Sequence, residues 1–290
     1  MAIPSISSGR AAQKYWESVL AAHQQSGMPV DAGRLLIELE AERRDTKSIL
    51  GRLARDGVAT VENYWTPEQC RNAVADMDGV IDAYPDCVRK FSEGSDCRVF
   101  GIEMVSDAAM RFHVDSYLRS IGELAGGRDL YNLATLGGRI EATQTNRGSG
   151  DGWHRDSFGY QFKAIIYLCD VTLANGPFQY LLGSHRKWQV VLDSALGRLP
   201  VPPESRMSDE QIDRYITSKP ARARIFTAKA GTLILANTTG IHRGMPLQAG
   251  RRYALTNYYY HRYQIGRSLV EKFMPMIPAA YQRLLEVATD

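Results

Sequence analysis

Apolar positions recur at helical spacing mainly toward the two ends of the chain, whereas the region between them falls into short runs of period two broken by glycine. Residues 8–55 read as two amphipathic helices, the first around Tyr15, Trp16 and Leu20, the second around Leu35, Leu36, Leu39, Ile49 and Leu53. Gly57 closes the second, and Val58, Thr60 and Val61 open a short strand. Thr66, Pro67 and Glu68 supply an N-cap, a first-turn proline and an early acid, which predicts a helix running to about Ala83. Another helix is expected over residues 114–124. From Gly126 to His261 the pattern predicts strands over residues 139–145, 160–168, 177–182, 222–227, 232–237 and 252–260, with a helical excursion at 208–218. A last helix is expected over 268–287. Many short strands at this spacing argue for a barrel or jelly roll.

Composition narrows the class without naming it. Of 290 residues, 44% are hydrophobic and 23% charged, ordinary values for a folded globular chain. Lys plus Arg number 35 against 32 Asp plus Glu, so the net charge of +3 is diffuse and no basic block suited to nucleic acid stands out. A small-molecule partner is expected rather than nucleic acid or membrane, since no apolar run is long enough for a leader or a spanning helix. The four cysteines, Cys70, Cys87, Cys97 and Cys169, form no CxxC pair. They read as unpaired thiols in a cytoplasmic protein.

The informative segment is Gly152-Trp153-His154-Arg155-Asp156, which puts an imidazole and a carboxylate two residues apart in an extended region, on one face of a strand. His242 follows 88 residues later in Thr239-Gly240-Ile241-His242-Arg243-Gly244. Two imidazoles and one carboxylate can occupy one face of an octahedral metal ion and leave the opposite face for a co-substrate and dioxygen; the donor set suits Fe(II) but also accepts Mn, Co or Ni. Ten residues beyond His242 stands Arg252, whose planar guanidinium can hold a carboxylate through two parallel hydrogen bonds. Arg251 is its rival, and strand alternation allows only one of the two to point inward.

These motifs, in this order, resemble the phytanoyl-CoA dioxygenase family of Fe(II)/2-oxoglutarate-dependent oxygenases. The resemblance runs from about residue 46 to 262 and is carried by Asp56-Gly57-Val58 through Glu62-Asn63-Tyr64, by Trp153-His154-Arg155-Asp156, by Asn175-Gly176-Pro177-Phe178 leading into Leu182-Gly183-Ser184-His185-Arg186, by Ala230-Gly231-Thr232, by Ile241-His242-Arg243-Gly244, and by Arg252 with Ala254 and Leu255. It implies a mainly β fold with flanking helices, a double-stranded β-helix of jelly-roll, cupin-like form occupying residues 46–290, preceded by a helical extension over 1–45. It implies iron at His154, Asp156 and His242, 2-oxoglutarate at Arg252, dioxygen as co-substrate, and a polar partner from the strand before the HxD segment, for which Gln144 is the candidate. The implied reaction is hydroxylation with release of succinate and CO2, while the arginines near the mouth and the lack of a membrane segment point to a small polar biosynthetic intermediate as substrate. Asp156 fills the position a halide would need, so halogenation is disfavoured, while desaturation, epimerisation and ring formation stay open.

The competing reading is a catalytically silent or cupin-type metal-binding β-helix protein, an isomerase or a small-molecule binder, which would not require Arg252. Arg155, Phe158 and Tyr160 are candidate substrate contacts at the rim. His185 is read as part of a structural turn, His113 and His261 as surface or packing histidines, and one of Tyr258, Tyr259 and Tyr260 as a candidate cavity wall. The N-terminal helices are candidates for a homodimer contact or a lid.

Overall fold

The computed structural model describes residues 8–25, 45–144, 146–201 and 203–274. Seven antiparallel strands form a major sheet in the order β1-β8-β5-β10-β4-β3-β2, where β1 is Val58–Val61, β2 Arg89–Phe91, β3 Asp96–Phe100, β4 Leu130–Glu141, β5 Phe162–Tyr167, β8 Leu233–Asn237 and β10 Arg251–His261. Three more form a minor sheet in the order β7-β6-β9, with β6 Phe178–Leu181, β7 Ala223–Phe226 and β9 His242–Gly244. The two sheets make the layers of a jelly roll.

Alternation sorts the strand residues cleanly. On β5, Phe162, Ala164 and Ile166 face a core shared with Leu233, Leu235, Leu255 and Tyr259. That face is covered by four helices: α2 (Thr46–Asp56), α3 (Pro67–Ala83), α4 (Asp107–His113) and α5 (Ser116–Gly126), through Leu53, Met77, Phe112 and Ile121 among others. Each such side chain taken from water contributes roughly 1.5–3 kcal/mol. The opposite parity, Lys163, Ile165 and Tyr167, looks toward the minor sheet. Local signals fix the helix starts. Thr66 and Gln69 form a reciprocal capping box at the start of α3, and Ser208 with Gln211 does the same for α7, Asp209–Ser218. Gly57 ends α2 in the left-handed region, where a side chain would also meet Tyr180 and His185.

The predicted strand over 139–145 is displaced: β4 begins nine residues earlier, at Leu130, and stops at Glu141. Its first half is buried on both faces, so the expected alternation is absent, and Gly137 and Gly138 look like breaks. Gly137 is instead a packing position, because a Cβ there would lie 2.7 Å from Ile102 Cδ1. The strand ends because Asn146 organises a turn: its amide donates to the Glu141 carbonyl and Ser95 Oγ, and its oxygen accepts from the backbone of Gly148 and Leu247.

Helix α1, Ser8–Gln25, lies on β4 and on the C-terminal helix α8, Arg267–Phe273. Tyr15 and Val19 are buried there against Leu133, Val270 and Phe273, so the apolar face offered for a dimer is engaged within its own chain. The stretch around Leu35 to Leu39 and the end of the predicted last helix lie outside the described residues. Helix α6, Lys187–Ala195, and the short β2, β3 and α4 were not anticipated. No described helix is long and apolar enough to cross a membrane.

Candidate active site

His154 and His242 face one another across an antiparallel backbone bridge: His154 N donates to the His242 carbonyl at 3.0 Å and His242 N to the His154 carbonyl at 2.9 Å. A directly opposed pair of this kind puts both side chains on one face, and the two rings are 4.4 Å apart. The HxD segment thus extends the minor sheet beyond β9. Asp156, two residues on, is fixed by its amide on the Thr238 carbonyl and returns to the same face. The carboxylate stands 3.7 Å from His154 Nε2 through Oδ1 and 3.6 Å from His242 Nε2 through Oδ2. Among the described residues this is the one His/Cys/Asp/Glu group with ligand atoms all within 4.8 Å.

The donor set fits a divalent metal in tautomer as well as position. His154 Nδ1 lies 2.8 Å from the Gly152 carbonyl and His242 Nδ1 2.9 Å from the Gly240 carbonyl. A carbonyl has no proton to give, so each Nδ1 carries the hydrogen and each Nε2 presents its lone pair. Burial pushes the His242 imidazole down to about 3 and, first among several influences, pushes His154 down as well. Burial alone would raise the Asp156 carboxyl, but Lys163 and the two imidazoles more than reverse it and hold it well below the usual carboxylate range. Two neutral imidazoles and one carboxylate therefore prevail at neutral pH. The approach is tight: at Gly150, already at φ +88°, a Cβ would lie 2.2 Å from His154 Cε1.

Between the sheets a cavity of about 390 Å³ runs from this triad. On β10 every second residue from Arg252 through Ala254, Thr256, Tyr258 and Tyr260 lines it. Arg252 is buried, with its guanidinium against the Gly176 carbonyl and close to Gly244, two residues along β9 from His242. Two strand residues span roughly 6.6 Å, a distance a five-carbon dicarboxylate can bridge. Arg251, by contrast, is 56% exposed and pairs with Glu141 at 3.1 Å. Strand parity turns Arg252 inward and Arg251 outward.

The other predicted contacts sit elsewhere. Gln144 is exposed in the turn after β4 and does not line the cavity. Phe158 is exposed, and Tyr160 turns away to donate to the Gly122 carbonyl at 3.2 Å and pack on His261. Arg155 borders the cavity, but its Nη1 donates to the carbonyls of Ser184 and Thr239, so it braces two loops from inside. His185 packs against α2, its Nε2 3.3 Å from the Ala54 carbonyl. His113 is buried on Thr135 and Asn132, and His261 on the Arg128 carbonyl.

Lys163 was missed. Its ammonium is 2.6 Å from Asp156 Oδ2 and 4.5 Å from the ring of Tyr258, its direct cross-strand partner. Burial would lower its pKa, but Asp156 outweighs burial and raises it. A lysine amid the apolar run 162–167, in phase with Ile165 and Tyr167, was the available signal. Arg98 and Asp96, paired with each other at 2.6 Å, also line the cavity.

A model of the phytanoyl-CoA dioxygenase family matches residues 53–252, a span that contains the triad and Arg252. The chain belongs to the phytanoyl-CoA dioxygenase family. Among proteins of curated function, none matches this sequence. Solved structures share its fold. The non-heme alpha-ketoglutarate-dependent carbocyclase SnoK from nogalamycin biosynthesis superposes with a TM-score of 0.57 at 15% identity, over 74% of this chain and 83% of that one. The epimerase SnoN, in complex with Fe3+, alpha-ketoglutarate and nogalamycin RO, gives 0.56 at 16% identity over 75% and 84%. HygX from Streptomyces hygroscopicus, with nickel and 2-oxoglutarate bound, gives 0.54 at 15% identity over 75% and 87%. As in these relatives in fold, the phytanoyl-CoA dioxygenase family member described here is a jelly roll with flanking helices.

Proposed function

We propose that this chain is a non-haem Fe(II)/2-oxoglutarate-dependent dioxygenase that hydroxylates a small-molecule intermediate. The observation that carries the reading is the convergence of three ligand atoms within 4.8 Å at one wall of a cavity that also holds the buried Arg252. His154 and His242 would hold the metal through Nε2, with the third position taken by Asp156. Arg252 would grip the distal carboxylate of the oxo-acid, with Ile165, Ala254 and Phe178 offering apolar wall beside it.

When bound, the metal with 2-oxoglutarate and dioxygen supplies the oxidation: one oxygen atom enters the substrate, the other enters succinate, and CO2 leaves. The residues do the positioning. Lys163 engages Oδ2 of Asp156, the oxygen nearer His242, and leaves Oδ1 toward His154. The Gly152 and Gly240 carbonyls lock both ring tautomers.

Succinate formed from 2-oxoglutarate under air tests the reading. The wild-type protein loaded with Fe(II) is expected to release succinate, His242→Ala to release none, and Arg252→Ala to lose at least about tenfold in kcat/KM for 2-oxoglutarate, the loss of one charge-assisted bidentate contact. Equal turnover in wild type and Arg252→Ala would remove the oxo-acid site from Arg252.

A further inference from the structure

The cavity has two regions of different chemistry. One holds the triad and Arg252. At the other, Phe273 of α8 packs against Tyr258 at 4.9 Å, Phe100 at 5.8 Å and Tyr260 at 5.9 Å, and Leu136 completes an apolar wall. Of these five, Phe100, Leu136, Tyr260 and Phe273 belong to the cluster that α1 braces from behind through Tyr15 and Val19.

The charges lining the cavity are unequal. Its two carboxylates are both engaged, Asp96 by Arg98 and Asp156 by Lys163. Four cations have no carboxylate partner among the described residues: Arg155 and Arg252, buried on backbone carbonyls, and the exposed Arg206 and Lys272. Arg206, the cross-bridge neighbour of His154, uses Nη1 on the carbonyls of Gly150 and Asp151, and its Nε and Nη2 make no hydrogen bond among the described residues. Lys272, next to Phe273, has no carboxylate partner among the described residues. Binding of the cofactors does not cancel this excess. A dication, the Asp156 carboxylate and a dianionic oxo-acid together carry a single negative charge, which Arg252 and Lys163 already exceed. Arg206 and Lys272 then add to a site that is positive when loaded.

Resting on the functional reading above, we infer that the substrate is an anion with a flat apolar or aromatic body: the body lies on the Phe273, Tyr258 and Tyr260 wall, and its carboxylate or phosphate is drawn by the positive excess to which Arg206 and Lys272 contribute. An apolar wall beside a net positive lining favours such a ligand over a neutral one, because the body is desolvated on the wall while the anion meets the excess charge. It also disfavours a cationic substrate, which would add like charge to an already positive cavity.

The test uses the full-length protein loaded with Ni(II) and saturating N-oxalylglycine, so that the triad and Arg252 are occupied. Two probes of equal shape are titrated by calorimetry, 2-naphthoate and its neutral counterpart 2-naphthamide. The acid is expected to bind about tenfold tighter than the amide, the advantage of a charge-assisted pair. That preference should shrink as salt is raised from about 50 to 500 mM, and it should collapse to within about twofold in R206Q/K272Q while the amide's own Kd moves little. Both substituted side chains are exposed, so the variant is expected to fold, and its amide titration reports whether the apolar wall is intact. Equal binding of acid and amide to the wild type, or an unchanged preference in R206Q/K272Q, overturns the inference. Failure of the wild type to bind Ni(II) and N-oxalylglycine in the first place would instead remove the functional reading on which it stands.

Discussion

Lys163 shows how a single side chain can decide the electrostatics of a site. It and Asp156 are 9% and 19% exposed, and their 2.6 Å contact is the principal counter-charge for a carboxylate that must stay ionised to bind a metal. Removing one partner of such a pair leaves a buried charge uncompensated, a loss of about 3–5 kcal/mol. Lys163→Met is therefore expected to lower the melting temperature of the metal-free protein by several degrees, at about 2–4 °C per kcal/mol for a chain of this size. Saturating Co(II) should recover more stability in the variant than in the wild type, because the dication takes over the role of the ammonium. Differential scanning fluorimetry with and without Co(II) measures both. A metal-free variant that melts like the wild type, or a gap that Co(II) does not narrow, would show that Lys163 is incidental to Asp156.

At the scale of elements, the junction of α1, β4 and the turn after β3 carries a buried acid. Glu103, in the 3-10 turn Ile102–Met104, accepts from Thr135 N at 3.3 Å and lies 3.5 Å from the Tyr15 hydroxyl of α1. Burial pushes its carboxyl up to about 8 from an ordinary 4.5. The folded state then holds a proton that the unfolded state has released, so stability from this group is full below about pH 4.5 and is lost as pH rises through about 8. The loss is on the order of a few kcal/mol. Glu103→Gln keeps the shape without the titration, so the melting temperature of the variant minus that of the wild type should grow steadily from pH 5 to pH 8.5. A flat difference across that range would place the proton elsewhere. The same junction marks where sequence reading succeeds and stops. Elements with local signatures were legible: the Thr66 and Ser208 caps, the Gly57 terminator, the apolar runs of β5 and β8 and the alternating β10. The convergence of His154, Asp156 and His242 was legible from HxD spacing together with the order of the motifs that resemble the family. What escaped depends on partners distant in sequence. The first half of β4 is buried on both faces, β3 is known only by its pairing with β2 and β4, and Gln144 lies beyond a strand end set by Asn146. Phe158 and Tyr160 follow Asp156 closely in sequence, yet the chain has already turned toward α5 there.

For the whole molecule, the arrangement of the two sheets predicts an order of events. The minor sheet supplies His242 through β9 and His154 through its bridge, while Arg252 comes from the major sheet. A metal at the triad touches one layer and its bridge; an oxo-acid reaching from the metal to Arg252 spans both layers. Any ligand that binds only the folded state stabilises it by RT ln(1 + [L]/Kd), about 2.7 kcal/mol at a hundredfold excess over Kd. Metal alone should therefore raise the melting temperature by its own increment, and N-oxalylglycine should add a second increment only when metal is present, since its chelating end has no other partner. Arg252→Ala should keep the first increment and lose most of the second, whereas His242→Ala should lose both. Thermal melts of the three proteins across a grid of Ni(II) and N-oxalylglycine concentrations separate these outcomes. A second increment that appears without metal, or that survives in Arg252→Ala, would mean that the oxo-acid is held by one sheet only and that the layers are not bridged across the cavity.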